Sequence, residues 1–443
     1  MLTQTAYGNS RLSLWLRVRE FAVPPSMIET ATARRGAGDW AGACAAAGVD
    51  VDLDLRSVAR THGSALAARV RADLRHLAPD LLRWHMPRIA PDGLLRPALT
   101  LSLARYDDPG QAGAGPLHLV VRTPPSWADA GQRIALSLWD GSSACYGAGR
   151  HPHPRPHRRH RLDLHRHLWD VRRTAELRER AGAGDPAPPV PVPPESGCNV
   201  GRWAAEAAIL LRAEGRADGA LTVRCGSRNR LVLELTRDED GVRPPALRLL
   251  TAAPGRGGSA ALPVLPDAAT WTPPDLELLR AGLLEPSRLH PLVASALAPE
   301  AEPPDRPAPT GDPRVVECRG ARHRLGLVDG ALAPLDHDPA EIRREEILMA
   351  FGGPPLPCLR VVDEAHRRPD CLTGVRERLE HGDITGALAV VEALLGPAAI
   401  LRDGPLRDAL SRTAARRTTH ALYRAGLTGP GRAPSRDAPR HTS

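Results

Sequence analysis

A chain of 443 residues exceeds one ordinary core, so length alone predicts about two to four domains. Hydrophobic residues make up 42% of it, enough for a folded interior, but 8 Trp, 4 Tyr and 2 Phe leave the packing to Leu, Val and Ala. All 59 basic residues are arginine, against 51 Asp and Glu, and a chain without lysine excludes a Walker A phosphate loop, a kinase-type lysine, a Schiff base and a Ser-Lys dyad.

The first domain is expected over residues 1–180. Its opening, RLSLWLRVREF, alternates Leu12, Leu14, Leu16 and Val18 with polar neighbours, which predicts a strand. The stretch PPSMIETATARRGAGDWAGACAAAG predicts two helices joined at the glycines, with Asp39 as the N-cap of the second. A stronger helix follows in SALAARVRADLRHLAPDLLRW. Three strand-like runs, ALTLSLARY, PLHLVVRT and RIALSLWD, are then set off by Pro, Gly and Asp. A helical front followed by an antiparallel sheet makes the expected class α+β.

Residues 151–170 read HPHPRPHRRHRLDLHRHLWD, with six histidines in the first seventeen positions. Pro152, Pro154 and Pro156 forbid a regular helix, so His151, His153 and His157 are expected on an extended entry. From Arg159 onward Leu162 and Leu164 alternate with polar residues, predicting a half-buried strand that presents Arg161, Asp163, His165 and His167 outward. An Asp and two His so placed could supply three ligands to zinc or to non-haem iron. The ordinary alternative is a solvated face leading into a helix at about His167 to Arg180. The charge is also concentrated here: Arg150 to Arg180 hold ten Arg against Asp163, Asp170, Glu176 and Glu179. Arg158, Arg159, Arg161, Arg166, Arg172 and Arg173 are therefore the candidates for holding an anion or an acidic partner.

A Pro-rich linker is expected over 181–197, AGAGDPAPPVPVPPESG, and another over 299–313, PEAEPPDRPAPTGDP. Between them, 198–298 predicts a small α+β domain, with the helix RWAAEAAILLRAEG, the strands ALTVRCG and RLVLELT, and short helices near its end. Residues 314–410 predict a hairpin followed by helices. VVECRGARHRLGLVDGALAPL turns at Gly320 and at Asp329-Gly330, Asp338 caps a helix with Pro339 and Glu341 in its first turn, and CLTGVRERLEHGDITGALAVVEALLG forms a helix pair. Residues 411–443, with seven Arg against Asp437, predict a basic flexible tail.

Two echoes run through the chain. CGSRNRL at 225–231 and CRGARHRL at 318–325 share a pattern, and Gly38 to Ala45 shares G-D-x-x-G-A-x-A with Gly382 to Ala389. The second resembles the second-helix start of tetratricopeptide-type hairpins, without the 34-residue period, and implies helical hairpins only. CRGARHRLGLVDG, LDHDPAE and GGPPLPCLRVVDEAHRRPDCL resemble segments of uncharacterised proteins of GC-rich actinobacteria. That resemblance implies no activity and no site.

The seven cysteines are widely spaced without a CxxC pair, as expected of reduced thiols rather than a disulfide framework. Cys358, His366 and Cys371 lie close in sequence, but small buried thiols are the simpler expectation for the two cysteines. LSLWL is interrupted by Arg17 and Arg19, and no run reaches the roughly 20 apolar residues of a spanning helix. The expectation is a cytoplasmic protein without a membrane partner. Lacking GxSxG, HExxH and a strand-borne GxGxxG, it reads as a non-enzymatic interaction or regulatory protein that docks on acidic partners and needs no catalytic residue or cofactor. The alternatives are a nucleic-acid-binding regulator using the arginines, and a metal-dependent enzyme built on Asp163, His165 and His167.

Overall fold

The computed structural model describes residues 4–107, 115–141, 151–182, 197–226, 229–236, 244–250, 262–300, 314–318, 320–328, 331–334, 336–350, 356–357, 371–395 and 405–429. Two compact units emerge, Met1–Pro303 with His420–Ser443, and Pro304–Thr419. Helices combine with several small, mostly antiparallel sheets, so the class is α+β as expected.

In the first unit helix periodicity overrides strand alternation at the start. Residues Gln4–Arg17 form α1, extended by a π-helical turn at Val18–Ala22. Leu14, Val18 and Ala22 fall at i, i+4 and i+8 and are buried, so the same leucines that alternate also satisfy a helical stripe. The expected strand is thus a helix. Helices α2 (Pro25–Gly36) and α3 (Trp40–Ala46) follow, then β1 (Val49–Val51), α4 (Leu55–His62), α5 (Ser64–Arg75) and α6 (Pro79–Trp84). A short hairpin, β2 (Arg88–Ile89) with β3 (Leu94–Leu95), precedes the strands β4 (Thr100–Tyr106), β5 (Leu117–Arg122) and β6 (Ile134–Trp139). The main sheet has the order β1-β6-β5-β4. Its β4-β5-β6 part is the antiparallel meander expected from the sequence, and β1 adds a parallel edge by pairing Val49 with Ile134.

After the 151–176 segment come α7 (Leu177–Arg180), α8 (Trp203–Ala213) and an antiparallel meander of β7 (Gly219–Arg224), β8 (Arg230–Thr236) and β9 (Ala246–Leu249). Trp203, Leu211, Leu221 and Leu233 form a core of their own there. The helices α9 (Asp267–Thr270), α10 (Pro274–Arg280) and α11 (Pro291–Leu297) behave differently. Leu278, Leu284, Leu289 and Val293 join the apolar cluster of Leu14, Val18 and Leu101. Residues 198–298 therefore contribute to two apolar clusters, one of their own and one shared with residues before 181. Most of the linker expected at 181–197, and nearly all of the one at 299–313, lies outside the described residues.

The second unit carries the meander β10 (Arg314–Cys318), β11 (Ala321–Val328) and β12 (Ala331–Pro334), then α12 (Pro339–Ala350), capped by Asp338 at the Ala340 amide, 2.9 Å. Helices α13 (Cys371–His381) and α14 (Ile384–Leu395) form the expected pair, with Val375, Leu379, Ala387 and Val391 between them. A correction concerns the tail: Pro405–Arg424 is a 20-residue helix, α15, and only the residues beyond 429 lie outside the described set. Its last turns belong to the first unit. There His420 Nδ1 lies 2.9 Å from the Ala128 carbonyl, Arg424 pairs with Asp50 and Asp52, and Tyr423 meets Trp127 edge-on.

The two G-D-x-x-G echoes prove to be one turn built twice. Asp39 caps the amide of Gly42 at 2.8 Å and binds Arg34 at 3.1 Å; Asp383 caps Gly386 at 2.9 Å and binds Arg378 at 2.7 Å. Gly38 and Gly382 hold positive φ at the preceding helix end, where glycine adopts the left-handed region without strain. A Cβ at Gly42 or Gly386 would sit about 2 Å from the capping carboxylate, so a side chain there would expel the cap.

Candidate functional site

The proline-stiffened entry runs against the sheet without forming helix or strand. Thr100 Oγ1 donates to the His153 carbonyl at 2.6 Å, and the His157 amide donates to Thr100 O at 2.8 Å. The His151 ring is buried, its Nδ1 accepting from the His153 amide and its Nε2 lying 3.0 Å from Thr123 O. Residues beyond Arg159 depart from expectation. Only Arg161 bridges to the sheet, at Ser102, and the chain then coils through 3-10 turns at Leu162–Leu164, Arg166–Leu168 and Thr174–Glu176. A period near three replaces the strand period of two, and it turns His165 and His167 inward.

That change dissolves the predicted metal face. Asp163 is held by Arg161 at 2.8 Å. His165 Nδ1 lies 2.9 Å from the Arg161 carbonyl, while its Nε2 lies 3.2 Å from Glu206 without good hydrogen-bond alignment. His167 is buried, and burial together with Arg180 pushes its proton affinity well below the ordinary value. Among the described residues no group of three or more His, Cys, Asp or Glu is placed to hold a metal ion. Cys44, Cys198, Cys225 and Cys318 are not in disulfides, and Cys358 and His366 lie outside the described residues.

Six arginines of this segment are engaged by the protein's own carboxylates. Arg159 grips Asp267 with two hydrogen bonds of 2.9 Å, and Arg161 also reaches Glu214 at 2.8 Å. Arg166 and Arg172 converge on Asp73 and Asp170, and Tyr106 donates to Asp73 at 2.8 Å. Burial works against the Asp170 charge, but the hydrogen bonds from Arg172 and Arg166 outweigh it and hold the carboxyl below its usual range. Arg173 binds Glu176, and Arg158 also has a partner within the protein. Arg180 donates to Glu206 and, at 3.0 Å, to the Leu164 carbonyl. Backbone bonds from Ala78 to Trp169 O and from Val171 to His76 O fasten the segment to the α5–α6 junction. The segment is a spine joining β4, α5, α8 and α9, not an open cationic face.

Unmatched positive charge also sits outside this segment. Arg412, Arg416 and Arg417 are exposed on α15 and form no ion pair among the described residues. Arg412 and Arg416 are one turn apart, so they share a side of the helix and repel. A second place is a cavity of about 290 Å³ in the first unit, where Arg88, Arg96 and His85 meet tryptophans and the spine's own Arg159 and His160. Sequence inspection missed both: the first was hidden in an expected tail, and the second draws its lining from positions between Arg11 and Pro274. Among the described residues no helix is long and apolar enough to cross a membrane. The chain matches no family model, no curated protein and no solved structure.

Proposed function

We propose that the protein is a cytoplasmic, non-enzymatic interaction or regulatory protein that docks on an acidic protein partner through α15. The observation that carries this reading is the contrast between two basic segments. Arg159, Arg161, Arg166, Arg172, Arg173 and Arg180 of the spine already pair with carboxylates, whereas Arg412, Arg416 and Arg417 stand exposed without a carboxylate among the described residues. Three guanidiniums within six residues form a local field that a carboxylate-rich surface relieves, and each fork can take a carboxylate in a bidentate pair.

The test is fluorescence anisotropy with a labelled deca-glutamate peptide at low salt. The triple variant R412Q/R416Q/R417Q is expected to bind it about tenfold more weakly, a change of about 1.4 kcal/mol, with an unaltered melting temperature. Equal binding by variant and wild type would remove α15 from the account. A duplex DNA that binds more tightly than the peptide, with affinity falling steeply as salt rises and lost in the same variant, would transfer the site to nucleic acid.

A further inference from the structure

The cavity of the first unit opens among α1, the β2–β3 hairpin, the turns of the spine and the segment entering α10. Its walls are mostly apolar, with Trp15, Met86 and Trp271 supplying the large surfaces. Its volume is just under the roughly 300–1,000 Å³ of small-molecule pockets, which combine such walls with a few converging polar groups.

The charges around it are unevenly satisfied. Arg159 is closed by Asp267, and Arg11 by Glu277 at 2.9 Å while stacking over Trp271. Arg88 has no such partner among the described residues. Its Nη1 and Nη2 donate only to the carbonyls of Gly93 at 3.1 Å and Arg83 at 2.6 Å, and its Nε is buried with no acceptor. A guanidinium keeps its proton even where burial and the neighbouring Arg83 disfavour the charge, so this cation is left uncompensated. His85 Nε2 is likewise buried without a hydrogen-bond partner among the described residues, and burial and His290 pull the ring's pKa down to about 3, so it is a neutral hydrogen-bonding group at pH 7. Arg96, exposed where it lines the cavity, forms no ion pair among the described residues.

We propose that this cavity binds a small aryl monocarboxylate, its carboxylate on Arg88 with support from Arg96 and its ring against Trp15 and Trp271. One buried cation in an apolar wall matches one negative charge on an apolar body. The carboxylate supplies the counter-charge that Arg88 lacks. The ring displaces water from tryptophan and methionine surface. A phosphate dianion offers no apolar body for those walls and brings a second charge without a matching buried donor. This site is separate from α15, and either can fail without the other.

Phenylacetate, its neutral analogue 2-phenylethanol and inorganic phosphate are the probes, followed by calorimetry and tryptophan fluorescence on the full chain. Wild-type protein is expected to bind phenylacetate saturably and 2-phenylethanol at least tenfold more weakly, with phosphate failing to displace the acid. R88Q should lose about tenfold in affinity. Because R88Q also alters the bonds to Gly93 and Arg83, R96Q at an exposed position is the companion, expected to lose about threefold with an unchanged melting temperature. Absence of saturable binding by the wild type, equal binding of acid and alcohol, displacement by equimolar phosphate, or wild-type affinity in both variants would each overturn the proposal.

Discussion

Glu206→Ala is expected to destabilise the first unit by about 3–5 kcal/mol, the range for removing one partner of a buried ion pair. Glu206 is 3% exposed, and its partner Arg180 keeps only 10% of its side chain in water. Burial opposes the carboxylate, yet His165 and Arg180 outweigh that and hold its pKa at about 2. Without it, Arg180 would retain the Leu164 carbonyl and a distant Glu176 at 3.9 Å, neither of which replaces a buried bidentate partner. The melting temperature should fall by roughly 10 °C. Glu206→Gln, which keeps an acceptor but not the charge, should fall between alanine and wild type. A loss below about 1 kcal/mol in the alanine variant would contradict the description of 151–182 as a spine.

Acid should unfold the protein sooner than its carboxylates alone would require. His85 and His160 are held at about 3, by burial first and then by His290 and by His157 with Arg159, respectively. Unfolding returns both to about 6.5, so between about pH 3 and 6.5 the unfolded chain binds protons that the folded chain does not. Stability is therefore full above about pH 6.5 and declines as pH falls, by about 1.4 kcal/mol per unit for each ring. The two together remove roughly 4 kcal/mol between pH 7.5 and pH 5. Glu206 adds to the loss only below about pH 4.5, where the unfolded carboxylate takes its proton. Chemical denaturation across this range should show the slope, and H85Q/H160Q should reduce it, leaving the part owed to other buried rings such as His167. A midpoint independent of pH from 7 to 5 would show that these rings are not neutral by burial.

Local pattern disclosed much of the fold. The strands β4 to β8, the β10–β11 turn, the Asp39 and Asp338 caps and the α13–α14 hairpin follow from alternation, turn residues and capping chemistry within ten or so positions. The Arg34 and Arg378 ion pairs, from an arginine five residues before each capping aspartate, were not foreseen. What failed was nonlocal. β1 is three residues long and depends on a partner at Ile134. α1 satisfies two periods, and packing chose the helical one.

The arginine-rich spine was misread for the same reason. Its composition announces an excess of charge, but the carboxylates that neutralise it lie far away in sequence: Asp267 is 108 residues from Arg159, and Asp73 is 93 from Arg166. A run of like charge looks like a binding face until those partners are in view. α15 erred the other way, because a helix polar almost all round has no apolar stripe by which to recognise it. The cavity left no sequence signature.

The central claim is that recognition belongs to α15 and that residues 158–173 hold the fold together. Amide hydrogen exchange with and without the deca-glutamate peptide tests it most directly. The account predicts that amides of 158–173 exchange slowly in the free protein and are unaffected by peptide, while those of α15 slow on binding. Protection appearing across 158–173 and none along α15 would contradict it.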